Sequence, residues 1–153
     1  MNKLPLSPDQ NKNPLPWYHE GLRFECTQCG KCCTGAPGAV WVSDQDKQNL
    51  CQLLQIDELT LEKQYLRLLD GRWALQELRP HYDCVFLDGK ACKIYSARPL
   101  QCRTFPFWPG AVASLESWQH AATYCEGIND KAALVPLEKI EETLALHKKA
   151  NLE

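Results

Sequence analysis

The stretch Cys26-Thr27-Gln28-Cys29-Gly30-Lys31-Cys32-Cys33 carries four thiols in eight residues, at the spacing C-x2-C-x2-C-C. A segment this short has no packing use for four thiols. Thiolate is the form of cysteine that binds soft metals, so the spacing points to a thiophilic ion or an iron–sulfur cluster. Two cysteines separated by two residues can turn back onto one ion, and zinc takes four nitrogen or sulfur ligands in a tetrahedron. The first three cysteines also match the C-x2-C-x2-C portion of a bacterial ferredoxin run, but the C-x3-C-P that completes such a run is absent. Cys32 and Cys33 are adjacent. Such side chains diverge by about 100° in a helix and point to opposite faces in a strand. In regular structure they serve two neighbouring metals, or one of them bridges.

Working outward, the chain has nine cysteines, at positions 26, 29, 32, 33, 51, 84, 92, 102 and 125. An odd number leaves at least one outside any fully paired disulfide scheme. Cys51 is the outsider: it stands among Leu50, Leu53 and Leu54 and reads as a core thiol on an apolar helix. Cys84, Cys92, Cys102 and Cys125 remain to complete the set begun by Cys26, Cys29, Cys32 and Cys33. Eight thiolates suffice for two four-cysteine sites or one larger cluster. Thiolate suits both zinc and iron, so ligand type leaves the metal open. Arg98 and Arg103 flank Cys102 and can donate to thiolate sulfur or offset its charge, with ordinary ion pairing as the competing reading. His19, His81, His120 and His147 are weaker zinc candidates.

The other global properties exclude more than they assign. A chain of 153 residues is most simply one domain, long enough for a real core. A formal charge of −2 gives no case for nucleic acid or an anionic membrane as partner. No apolar run reaches the length of a transmembrane helix. The start, MNKLPLSPDQNKNPLP, has no apolar h-region, so no secretory signal peptide is expected. That favours the cytoplasm, where clustered cysteines bind metal or do redox chemistry more often than they form disulfides. The expected partner is a metal ion; an electron-transfer or protein partner is not identified. No Gly-rich phosphate loop, dinucleotide fingerprint or Ser/His/Asp constellation is evident, so enzyme activity is neither supported nor assigned.

Local signals divide the chain. Residues 1–20, with Pro5, Pro8, Pro14 and Pro16 among polar residues, read as an extended or disordered arm whose end Trp17 and Tyr18 pin to the domain. Residues 21–130 form the cysteine-cluster domain, and 131–153 a C-terminal helix packed on it. Ser43 with Asp44 and Asp46 starts a helix over 44–54. Thr60 caps a second over 61–69, which Asp70-Gly71 ends. Residues 73–78 and 84–87 suggest strands, and Asp88-Gly89 turns the chain back through Cys92, bringing Cys84 and Cys92 together. Pro99 leads a short helical turn to Cys102, and Phe105-Pro106-Phe107-Trp108-Pro109 is an extended aromatic wall. Helices are expected over 114–124 and 137–149.

With these residues in place, the chain resembles the CxxCxxCC cysteine-cluster family, also called YkgJ-like, a zinc- or iron-chelating domain. The resemblance runs over about residues 21–128 through Cys26 to Cys33, Cys84, Cys92-Lys93-Ile94-Tyr95, Arg98-Pro99, Cys102 and Arg103 to Phe107. Cys51 falls outside it. One departure is that Glu126-Gly127 follows Cys125 where the family commonly has Pro-Gly. The likeness implies that Cys26, Cys29, Cys32, Cys33, Cys84, Cys92, Cys102 and Cys125 are the metal ligands, and some members are labelled iron–sulfur oxidoreductases.

The expectation is a small single α+β domain, with short helices and a β-hairpin around a cysteine-rich metal centre. Its expected function is binding of zinc or iron through cysteine thiolates, in two adjacent sites or a cluster. The alternatives are an iron–sulfur redox protein or oxidoreductase, and a metal-stabilised protein-interaction module.

Overall fold

The computed structural model describes residues 13–152. Residues 1–12 of the expected N-terminal arm, and residue 153, lie outside the described residues. In chain order the elements are β1 (Leu22–Arg23), a 3₁₀ turn (Lys31–Cys33), α1 (Asp44–Leu54), α2 (Glu58–Tyr65), β2 (Leu66–Leu69), β3 (Arg72–Leu75), β4 (Glu77–Leu78), β5 (Asp83–Cys84), β6 (Leu87–Asp88), β7 (Ala91–Cys92), a second 3₁₀ turn (Tyr95–Ala97), α3 (Leu100–Thr104), α4 (Pro109–Val112), α5 (Leu115–Ala122), β8 (Leu134–Val135) and α6 (Leu137–Lys149). The strands form four antiparallel pairs, β1–β8, β2–β3, β4–β5 and β6–β7. Helices and short antiparallel pairs in one compact domain are the α+β class expected from the sequence.

Helix α1 begins where its caps dictate. The Ser43 hydroxyl accepts from the Asp46 amide at 3.1 Å, and the Asp46 carboxylate accepts from the Ser43 amide at 3.1 Å. This reciprocal box satisfies two amides that a helix start would leave without partners. Asp46 does more than cap. It is 3% exposed, and its other oxygen accepts from the Leu100 amide at 3.3 Å, the first residue of α3. Asp46 thereby fixes α1 against the helix that carries Cys102. Ser43→Ala is expected to cost about 1 kcal/mol. Asp46→Ala is expected to cost about 2–3 kcal/mol, because it strands two donors. Urea melts of both variants would rank them; equal losses would mean that the bond to α3 contributes nothing.

The region after α1 departs from expectation. Asp57, not Thr60, caps α2, accepting from the Thr60 amide at 2.7 Å. The helix ends at Tyr65, and the leucine run that follows is strand β2. Asp70 (φ 47°) and Gly71 (φ 77°) both take positive φ. That is the two-residue hairpin turn for which Asp-Gly is suited, and it pairs Leu66 with Leu75 and Leu68 with Trp73. The hairpin around Asp88 also exists, pairing Leu87 with Cys92. Its partner strand does not reach back to Cys84. Cys84 lies in β5 and pairs with Glu77 of β4.

Two hydrophobic cores result. One gathers Val42, Leu50, Leu61, Leu66, Leu75, Phe86 and Ile94, with Cys51, Cys84 and Cys92 half-buried against it. The other gathers Leu22, Phe107, Val112, Trp118, Ala121, Cys125, Ile128 and Ile140. The aromatic wall belongs to the second: Phe107 stacks on Trp118, with ring centres 5.7 Å apart. Trp17 donates to the Val112 carbonyl at 2.8 Å and Tyr18 to Glu141 at 2.7 Å, so the chain before β1 is tied to α4 and α6. Helix α3 is held on three sides. The buried Gln101 amide pairs with backbone on both sides of Val40, accepting from the Trp41 amide at 2.9 Å and donating to the Ala39 carbonyl at 3.1 Å. Trp108 donates to the Gln101 carbonyl at 3.0 Å. Among the described residues, no helix is long and apolar enough to cross a membrane.

Candidate metal centre

Cys84 and Cys92 border the first core and Cys125 belongs to the second, and two glycines set how closely the cysteine segments approach. Gly30 caps the 3₁₀ turn of Cys32 and Cys33 at φ 75°. A Cβ there would stand 2.6 Å from the Lys90 carbonyl oxygen and 3.1 Å from Leu87 Cδ1. The cysteine loop therefore lies on the β6–β7 hairpin, which ends in Cys92. Gly127, just beyond Cys125, has the same role. The Glu25 amide donates to its carbonyl at 3.0 Å, and a Cβ at Gly127 would collide with the Glu25 carbonyl and the Phe24 ring. This junction sets Cys125 beside the strand exit that leads into Cys26. The far end of the loop is tied down as well: the Gly35 amide donates to the His81 carbonyl at 3.0 Å and Thr34 donates to Asp83, next to Cys84.

Within this frame the thiols act on one another. Cys32 and Cys33 hold their sulfurs 3.9 Å apart. The hydrogen bond from Cys33 is the main reason that the Cys32 thiol falls to about 7; its backbone amide and the Arg98 charge add to this against burial. Cys33 is correspondingly held protonated, by that shared bond first, then by burial and by Cys32, Cys84 and Cys92. Burial pushes Cys84 up to about 11, with Cys92 and Cys32 adding repulsion. Burial also raises Cys92 and Cys102, each further raised by Cys32 and lowered by Arg98. Cys125 is raised by burial, then by Cys29 and Cys32. Cys32 is thus common to the fields felt at Cys33, Cys84, Cys92, Cys102 and Cys125. Cys26 lies beside Tyr95, whose hydroxyl it raises by hydrogen bonding.

Five thiols are therefore held above their ordinary range, and repulsion from neighbouring thiolates contributes at each. A soft dication among them would reverse that repulsion, so the donor set fits the metal that its chemistry implies. Among the described residues, no three His, Cys, Asp or Glu side chains are close enough, as placed, to form a ready ligand set. Two of the histidines stand in other surroundings: His147 is buried with its ring centre 5.8 Å from Trp108, and His120 lies against Tyr124, whereas the His81 carbonyl accepts from Gly35 at the end of the cysteine loop. Cys51 lies against the first core, and its thiol is raised by burial and then by Glu58 and Asp57.

These shifts make a prediction for the metal-free chain. A thiol raised on folding contributes stability that is complete below its unfolded pKa of about 8.5 and lost as pH climbs through the folded value. For Cys84 that window ends at about 11. Cys32 acts in the opposite sense, but over a lower range, near 7. The urea midpoint of the metal-free chain is expected to fall from about pH 8.5 to 11, and Cys84→Ala to flatten the slope. A midpoint that rises over this range would show that the thiols are not crowded.

Sequence reasoning finds the cysteines and misses what spaces them. From sequence, Gly30 is a position that permits the positive φ of a tight ligand loop, and it takes φ 75°, but the Lys90 backbone that it approaches is not legible; Gly127 marks only the end of a helix. Asp46 and Gln101, which clamp α3, carry no spacing signature. Tyr95 is visible only as a member of a motif.

The profile of the CxxCxxCC family, described as "Putative zinc- or iron-chelating domain", matches residues 25–126. The chain is similar to Uncharacterized protein MJ0661 of Methanocaldococcus jannaschii, 36% identical over 93 residues, which cover 59% of this chain and 48% of that protein. The chain thus spans about half the length of this curated relative. No solved structure matches. The profile runs from the residue before Cys26 to the residue after Cys125 and spans all nine cysteines; this chain belongs to the CxxCxxCC family.

Proposed function

We propose that the chain chelates zinc or iron through the thiolates of Cys26, Cys29, Cys32, Cys33, Cys84, Cys92, Cys102 and Cys125, in two adjacent sites or one cluster that share Cys32. The observation that carries this reading is the C-x2-C-x2-C-C loop itself, with the sulfurs of Cys32 and Cys33 3.9 Å apart and Gly30 seated against the hairpin that ends in Cys92. The sulfurs of Cys32 and Cys33, 3.9 Å apart in their 3₁₀ turn, do not diverge as they would in regular helix or strand, so the pair can also share one tetrahedral ion. When bound, the metal supplies a charge that binds the thiolates to one another. The residues do the rest. Gly30 and Gly127 bring the segments close, Asp46 and Gln101 hold the helix of Cys102, and Arg98 offsets negative charge at Cys32, Cys92 and Cys102. Four-thiolate coordination is closed and leaves no position for a substrate, so the role is structural or chelating.

The test is anaerobic purification, with an absorption spectrum and metal content per chain on one sample. Colourless protein with about two zinc ions per chain is the expected result for closed sites. Brown protein with iron and acid-labile sulfide would replace it by an iron–sulfur centre. Folded, metal-free protein that takes up neither metal under reducing conditions would overturn the proposal.

A further inference from the structure

A cleft of about 550 Å³ opens beside the cysteine centre, between the outer face of α1 and the turn that leads to α3. Asn49, Gln52 and Leu53 of α1 line one wall, and Ser96, Arg98 and Arg103 the other. No acidic residue lines it, in a chain whose formal charge is −2. Both guanidinium groups are anchored in advance. Arg98 donates through Nε to the Tyr95 carbonyl at 3.0 Å and lies 3.8 Å from the centre of the Tyr95 ring. Arg103 donates through Nε to the Arg98 carbonyl at 3.0 Å. These bonds use one edge of each fork and leave Nη donors for a ligand. Asp46 pairs with Arg103 Nη2 at 3.9 Å and offsets part of its charge, while that guanidinium keeps further N–H donors for the cleft. The Asn49 oxygen accepts from Gln45 at 3.1 Å, which leaves the amide NH₂ as its remaining donor.

We propose that this cleft binds a small oxyanion, a phosphate or carboxylate group, held by the guanidinium groups of Arg98 and Arg103 with Asn49, Gln52 and Ser96 as further donors. A guanidinium fork matches both groups with two parallel hydrogen bonds. Anchoring both forks on one turn reduces the ordering cost of binding. A cleft of this size exceeds the bare ion, so the ligand is a small molecule that bears the group, with Leu53 and Ala97 against its apolar portion.

The test is calorimetric titration of the metal-loaded full chain with inorganic phosphate and, separately, with succinate, in chloride buffer. Saturable binding of at least one is expected, and the tighter of the two names the group. Arg98→Gln and Arg103→Gln are each expected to weaken it about tenfold. Asn49→Asp, which puts a negative charge into the cleft from an exposed helix face, is expected to abolish it. Lys139→Gln, on the surface of α6, is expected to leave it unchanged. Absence of saturable binding for both probes would overturn the proposal. So would equal affinity in Asn49→Asp, or equal weakening by Lys139→Gln. Metal content measured on the same samples separates this outcome from failure of the chelation reading: unchanged metal with lost anion binding concerns the cleft alone.

Discussion

Cys32→Ser is expected to remove bound metal almost entirely, whereas Cys51→Ala is expected to retain it at the level of the unaltered chain. The two cysteines are equally legible as thiols, but they sit in different fields. Cys32 contributes to the shifts of Cys33, Cys84, Cys92, Cys102 and Cys125, so on the proposed reading its loss reaches five of the other candidate ligands at once. Cys51 lies against the first core, and the groups that shift its thiol are carboxylates and Lys47 rather than other cysteines. Removing a group that only supports a ligand typically lowers metal affinity 10–100-fold; loss of a shared ligand is expected to exceed about 100-fold on that scale. Metal analysis after gel filtration under reducing conditions checks the pair, with Cys29→Ser as a third variant that should fall with Cys32→Ser. Equal retention in all three would refute the division of the cysteines.

Gly30→Ala is expected to damage both fold and site although it leaves every thiol in place. Two costs coincide there. A residue with a Cβ is strained at φ 75°, by about 1–2 kcal/mol. The new carbon would also stand 2.6 Å from the Lys90 carbonyl, a backbone atom that cannot swing aside. Overpacking of that kind costs about 1–3 kcal/mol, so the total is about 2–5 kcal/mol. The hairpin that ends in Cys92 must back away from the loop of Cys32 and Cys33, so metal affinity should fall with stability. Gly35 provides the control: its φ is 99°, yet no atom lies within 4 Å of the position of its Cβ. Gly35→Ala should show the strain without the clash. If both variants melt together and bind metal alike, the close approach at Lys90 has no role in the site.

The sequence discloses those elements of the fold that are decided locally. Ser43 with Asp46, and Pro136 ahead of Leu137, Ile140 and Leu144, mark α1 and α6 at their observed limits. The leucines 66–69 read as helix in sequence and are strand in the structure, because Asp-Gly both ends a helix and turns a hairpin. The pairing of Leu66 with Leu75 decides between them, and that is a tertiary fact. The cysteines are legible from spacing alone. The positive φ of Gly30 and Gly35 is legible too, but the close approach at Gly30 is not, because it depends on the opposing backbone. Gln101 illustrates the same limit: its amide substitutes for a strand partner at residues 39–41, which no periodicity reports.

The two hydrophobic cores give the chain a seam, because Cys84 and Cys92 border one core and Cys125 belongs to the other. The halves are joined by α3, which Asp46 ties to α1, and by bonds such as that from Arg72 to the Asn151 carbonyl at 2.9 Å. Each half can then open at its own free energy, as separate cooperative units do. Metal that bridges the seam makes opening of one half require release from the other. Amide hydrogen exchange should therefore resolve two levels of protection in the stripped protein, one around Leu50 and Leu61 and one around Trp118 and Ile140. In the loaded protein these should merge into one.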